Sequence, residues 1–400
     1  MNALRPAAAA LASFFVMGAF WGAWAALVPE IQLRTRATPP ELGAALLWAG
    51  AAALPAMLLT GRLWAHFGGR LVPPSLLLFG LAAVGPALAP SVLALAVSLA
   101  LVGAASGALD VAMNTQVSQI EVSSGGRLMF LAHALFSLAV LLASIGAGIL
   151  RGLAVEPLPI LATVALAFLL VAAFATTEDR GAARTLGGEK PARMAPAGAL
   201  PGGARGMLVL LGLLCAGAFM IEDALISWSA LHLERSLGAE PAIGGAGPGL
   251  FAGAMFVGRS LGQAVARRLG DREIVAGGAI LAALGILLVA GAPASAIALA
   301  GLALAGLGIS LVAPALFSRA GREAGERSRG AAIARLTVFG YIGFVVGPPV
   351  VGLIAGATEL RFSFVALAAL AATLALISRL SLRQQPVGTP GEELPPVARA

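Results

Sequence analysis

The chain is patterned as apolar runs of about membrane-spanning length, separated by short stretches carrying Pro, Gly or charge. Twelve such runs can be marked, at residues 7–28, 42–61, 71–88, 92–113, 128–150 and 158–175, then 207–228, 243–262, 274–292, 296–317, 331–355 and 362–378. About 30 Å of hydrocarbon is crossed by about 20 helical residues rising 1.5 Å each, so every run predicts a membrane helix. Lipid offers no partner to backbone N–H and C=O groups, which leaves helices or a closed barrel, and the ten-residue alternation of a barrel is absent. The first run, with Arg5 ahead of it and small residues after it, has the outline of a signal peptide. Its length and the eleven runs that follow make it a span instead.

Between the sixth and seventh runs lies the longest polar stretch, rich in Gly, Pro, Ala and Arg and without hydrophobic periodicity. The expected division is a six-helix bundle over 1–176, a cytoplasmic linker over 177–206, a second six-helix bundle over 207–379 and a disordered cytoplasmic tail over 380–400. The halves also resemble each other. LLTGRLWAHFGGR, ending at Arg70, aligns with LGQAVARRLGDR, ending at Arg272, and nearly the same offset sets Gly107 on Gly308. Repeated six-helix halves are an architecture of secondary transporters.

Composition narrows the class. With 59% hydrophobic and 11% charged residues and a mean hydropathy of +0.93, the chain lies far from a soluble domain, which carries about 25% charged residues. The formal charge of +7 does not point to nucleic acid, because the excess falls in the loops. If the runs alternate across the bilayer, 21 of the 26 Lys and Arg residues collect on the side of both termini, leaving Arg34, Arg36, Arg151, Arg235 and Arg361 on the other. The positive-inside rule then places both termini in the cytoplasm, in a bacterial-type inner membrane. One cysteine, Cys215, and three scattered histidines give no disulfide and no metal cluster, and no nucleotide-binding or hydrolytic motif occurs. Neither an enzyme nor an ATP-driven pump is expected. No cofactor is called for, a proton gradient being the expected driving force; the partners expected are a small-molecule substrate and the lipid bilayer, with no nucleic acid and a monomeric chain.

A charged side chain at mid-membrane costs about 2.5–3.5 kcal/mol on insertion scales, so polar residues inside the runs are the candidates for function. In GAASGALDVAMNTQ of the fourth run, Gly103, Gly107, Asp110 and Asn114 are spaced four, three and four apart and share a helix face. That face predicts a close helix approach with Asp110 and Asn114 lining a pathway, the alternative being a structural carboxylate bonded to a neighbouring helix. His133 and Ser137 on the fifth run are four apart, and a short loop brings His133 within reach of Asp110, either to pass a proton or to pack. On the seventh run Glu222 and Asp223 lack a basic partner on their own helix, which suggests a titrating site unless the helix unwinds there into water. Trp228 reads as an interfacial anchor, and Arg259 on the eighth run as a snorkelling or gate-forming cation. Tyr341, the only tyrosine, precedes Pro348 and Pro349, which should kink or break the eleventh helix. Trp21 and Trp24 offer rings that could stack on a sugar face or pack in the core.

These features together resemble the major facilitator superfamily over essentially the whole chain. GRLWAHFGGR is similar to that family's cytoplasmic loop motif G-x-L-x-D-R-x-G-R-R at Gly61, Leu63, Gly68 and Arg70, while Ala65 and His66 stand where the family has its acid and arginine. Leu109 to Asn114 resembles the L-[DE]-x-A-x-N element of the fucose/proton symporter group. The runs H-A-x-F-S from His133 and W-S-A from Trp228 are similar to a related, poorly characterised bacterial branch. The resemblance implies an all-α membrane protein of twelve transmembrane helices in two pseudo-symmetric six-helix bundles, with Asp110 in substrate binding. That symporter's second acid, on helix one, is alanine here, before Leu27-Val28-Pro29, so proton coupling would fall to Asp110 or Glu222. The expected function is secondary transport of a small polar, sugar-like solute, proton-coupled, by alternating access. A multidrug or metabolite efflux pump, or a non-transporting sensor on the same fold, are the alternatives.

Overall fold

A computed structural model describes residues 4–124, 128–185, 204–324 and 328–382, and every regular element among them is helical. The helices are α1 (Leu4–Thr35), α2 (Pro39–Phe67), α3 (Val72–Ala83), α4 (Gly85–Leu88), α5 (Val92–Ser124), α6 (Leu128–Gly152) and α7 (Pro157–Thr185). After residue 203 come α8 (Ala204–Leu231), α9 (Pro241–Ala266), α10 (Asp271–Ala290), α11 (Ser295–Ile309), α12 (Val312–Ala324), α13 (Arg329–Ala357) and α14 (Leu360–Ser381). A 3-10 turn at Gly68–Leu71 follows α2, and a π-helical turn at His232–Ser236 ends α8.

Several helices start where the sequence supplies the chemistry. Pro39, Pro157 and Pro241 occupy first helical positions, where a missing N–H costs nothing. At the head of α2, the Thr38 backbone N–H and hydroxyl both donate to the Glu41 carboxylate, at 2.9 and 2.7 Å. The helices run well past the apolar runs: α5 continues from 113 to Ser124, and α7 continues to Thr185 into the expected linker. Residues 186–203 and 383–400, most of the remaining linker and most of the expected tail, lie outside the described residues. Pro348 and Pro349 do not break α13, which is continuous through both.

Among the described residues eleven helical stretches are long and apolar enough to cross a membrane, against the twelve expected, because residues 39–88 form one such stretch of 50 residues. Within it, α2 runs parallel to α5, with Ala49 beside Gly103 and Ala53 beside Gly107. The α3–α4 segment instead forms a hairpin with α5, Gly85 lying against Ser98. The 3-10 turn is therefore where the chain reverses, helped by Gly68 at φ +54°.

Gly103 shows what sets the closeness of the helices. A Cβ there would overlap the Ala49 carbonyl, so only glycine lets the two backbones meet. The proposed equivalence of Gly107 and Gly308 does not extend to packing. Gly107 faces α2, whereas Gly308 faces Ala282 of α10, and the α11 glycine against α9 is Gly306. The two ends of the chain join along two antiparallel seams. One is α6 on α9, with Gly148 against Gly245 and Leu141 against Gly253; the other is α2 on α13, with Gly43 against Pro348 and Gly50 against Val345.

Candidate functional site

At mid-depth, α5 of the first half brings Asp110 against α13 of the second. The Tyr341 hydroxyl donates to Asp110 Oδ2 at 2.9 Å, across 231 positions of sequence. Asn114 Nδ2 donates to Asp110 Oδ1 at 3.0 Å and to the Asp110 carbonyl at 2.8 Å, as the i, i+4 spacing requires. All three side chains are half-buried. The carboxylate is thus held by one donor from its own helix and one from the opposite half, in a position still open on one side. Sequence reasoning placed Asp110 and Asn114 together; Tyr341 carried no signal beyond being the lone tyrosine.

His133 does not join this group. It is exposed, meets Phe14 edge-on with centroids 5.2 Å apart, and lies in the field of Arg259. The α6 backbone is seated on α1 through Gly18 and Gly22, and that packing sets the His133 ring against Phe14. Ser137, one turn on, is buried at 3% exposure.

Arg259 neither snorkels to the surface nor stands alone. Its Nη2 donates to Glu222 at 3.2 and 3.3 Å, so the acid pair on α8 has its cation after all, supplied by α9. The helix does not unwind into water at this level, since α8 is continuous to Leu231. The adjacent Asp223 receives Ser227 at 3.5 Å on Oδ1, and its buried Oδ2 has no hydrogen-bond partner. The two tryptophans separate cleanly. Trp24 is 2% exposed and belongs to the core, whereas Trp21 is half-buried and packs edge-on to Phe20. Trp228 is fully buried, which corrects its reading as an interfacial anchor. Gly61 and Arg70 of the loop motif are exposed, and nothing lies within 4 Å of a Cβ built on Gly61.

A third polar cluster was not anticipated. At the face opposite the α2–α3 turn, Arg151 of α6 donates to both oxygens of Glu234 at 2.6 and 2.9 Å, and also to the Ala26 carbonyl of α1 at 2.8 Å. Nearby, Arg235 donates to the Pro29 carbonyl at 3.3 Å and Ser144 to the Gly245 carbonyl at 2.7 Å. In the sequence, Arg151 and Arg235 read only as loop charges. Among the described residues, no group of three or more His, Cys, Asp or Glu is placed to hold a metal.

A chain whose described residues are helical and carry eleven apolar stretches of spanning length is an integral membrane protein. The model of the Major Facilitator Superfamily matches residues 9–327 and 213–397, and the chain belongs to that superfamily. An uncharacterized MFS-type transporter of Yersinia pestis is 34% identical over 375 residues, covering 93% of this chain and 94% of that one. Membrane protein MosC of Rhizobium meliloti is 31% identical over 349 residues, covering 87% and 83%. Among solved structures, a bacterial homolog of the human lysosomal transporter Spinster, inward-facing and occupied, aligns with a TM-score of 0.71 at 15% identity, covering 94% of this chain and 97% of that one. The nucleoside transporter NupG aligns at 0.70 and 14% identity, covering 96% and 100%. At these identities the solved structures speak for the fold.

Proposed function

We propose that the protein is a secondary active transporter that moves a small polar, sugar-like solute by alternating access, with protons, and that Asp110, Asn114 and Tyr341 form its central site. The observation that carries the reading is the Tyr341–Asp110 bond, which joins the two halves at mid-depth through a carboxylate left half-buried. Such a carboxylate accepts from solute hydroxyls and the Asn114 amide can donate or accept, a pairing suited to neighbouring hydroxyls on a ring. Trp21, half-buried, is the ring available for an apolar sugar face. Glu222, paired to Arg259, and Asp223 beside it extend the polar pathway and, with Asp110, are the groups that would carry a proton.

In this reading the 50-residue stretch over 39–88 makes two crossings, reversing at Gly68, so the chain has twelve in two six-helix bundles joined by the segment after α7. The basic loops and both termini face the cytoplasm. The bonded seam near the other face, with His133 exposed on the terminal side in the field of Arg259, corresponds to a state open to the cytoplasm.

The test is thermal unfolding of the purified protein in mild detergent against millimolar panels of monosaccharides and of hydrophobic cations. A ligand that binds only the folded protein stabilises it by about 2.7 kcal/mol at a hundred times its Kd. Stabilisation by one sugar family is the expected result. Stabilisation by hydrophobic cations alone would replace the sugar reading with drug efflux.

A further inference from the structure

We infer that Arg151 and Glu234 are the latch of an outer gate, a pair that must part each time the transporter opens to the outside. The inference rests on the alternating-access reading above and adds to it the place where the closed state is held. Arg151 stands at the end of α6, in the first half, and Glu234 in the π-helical turn after α8, in the second. Their side chains are only 5% and 9% exposed, and the guanidinium engages both carboxylate oxygens, the bidentate geometry that makes such pairs strong and orientation-specific. The Ala26 carbonyl takes a further bond from Arg151, so α1 is tied in as well.

The surroundings are shaped for this pair. A Cβ on Gly244 would overlap the Glu234 carboxylate, so the start of α9 leaves the room it occupies. The π-helical turn widens the end of α8 where Glu234 must reach across to α6. Gly148 and Gly245 allow the backbones of α6 and α9 to touch below it, and the Ser144 to Gly245 bond closes the same seam. The pair is held dry where it stands, and each ion is hydrated once the gate opens, so opening exchanges one bidentate pair for two solvated charges.

The experiment uses the full-length protein in lipid nanodiscs, where a hydrophilic maleimide reaches both faces, in a Cys215→Ser background. Ser144→Cys reports on the outer seam, where Ser144 is fully buried. His133→Cys, at an exposed position in the field of Arg259 of the second half, reports on the cytoplasmic side. Adding Glu234→Gln should raise the labelling rate at 144 by about tenfold or more and lower that at 133, as a two-state exchange requires. Replacing both partners together, Arg151→Met with Glu234→Leu, should shift the rates less than Glu234→Gln alone, because no unpaired charge remains in the closed seam. An unchanged rate at 144 in well-folded Glu234→Gln protein overturns the latch and leaves the transporter reading intact. A rise at 144 with no fall at 133 means local loosening without exchange between two states, and overturns the latch together with alternating access.

Discussion

Asp110→Asn separates what the carboxylate does for the fold from what it does for a ligand. Asp110 Oδ1 accepts from Asn114 at 3.0 Å and Oδ2 accepts from Tyr341 at 2.9 Å. A carboxamide of the same shape keeps both partners, its oxygen accepting from Asn114 and its NH2 donating to the tyrosine oxygen. What disappears is charge assistance, about 0.5–2 kcal/mol per bond. Against that loss stands the removal of a charge from mid-membrane, valued at about 2.5–3.5 kcal/mol on insertion scales. The two terms oppose each other at similar size, so the variant should fold with a stability within about 1–2 kcal/mol of the parent.

The ligand has no such compensation. A solute hydroxyl donating to the carboxylate is worth about 1.5–3 kcal/mol, or about 10–150-fold in Kd when the acceptor is neutralised. The assay is the same melting experiment titrated with the stabilising sugar, followed by counterflow exchange in proteoliposomes. The expected outcome is a near-normal melting temperature without sugar, a right-shifted titration and lost exchange. A titration midpoint within about twofold of the parent, with full exchange, would refute the assignment of Asp110.

Two further outcomes test the packing on which the site depends. Gly103→Val places a side chain onto the Ala49 backbone, which cannot yield, and should cost about 1–3 kcal/mol and reduce the folded fraction on size-exclusion chromatography; Gly61→Val, with open space around it, should not. Trp24→Ala should cost about 3–5 kcal/mol from the emptied core while leaving the sugar affinity of the surviving folded protein unchanged, whereas Trp21→Ala should lose less stability and more affinity, as read by melting and ligand titration together.

Much of this protein was decided locally. Membrane insertion depends on hydropathy summed along a run, and a helix satisfies its backbone within itself, so the runs alone determined an all-helical membrane protein and nearly every span. The Asp110–Asn114 bond is equally local, since a spacing of four on one helix brings two side chains together whatever surrounds them. The same logic exposed Gly103 and Gly107 as a face for close approach, which α2 occupies. The limits of span counting are also physical: between α2 and α3 there is a reversal but no break in helicity, because a 3-10 turn carries the chain through Gly68–Leu71.

Everything that required a second helix was decided by the tertiary structure. Tyr341 reaches Asp110 over 231 positions, Arg151 reaches Glu234 over 83, and Arg259 reaches Glu222 over 37. Which residues meet depends on the rotation and depth of each helix, and those are set by backbone contacts such as Gly18 on Phe136 and Gly148 on Gly245, not by the polar residues themselves. His133 therefore meets Phe14 while Asp110 takes its bonds from Asn114 and Tyr341, and Trp228 is buried where hydropathy alone would leave it at the interface. Hydropathy records how much a residue prefers lipid to water; in a bundle of helices the interior is a third environment, and only packing assigns residues to it.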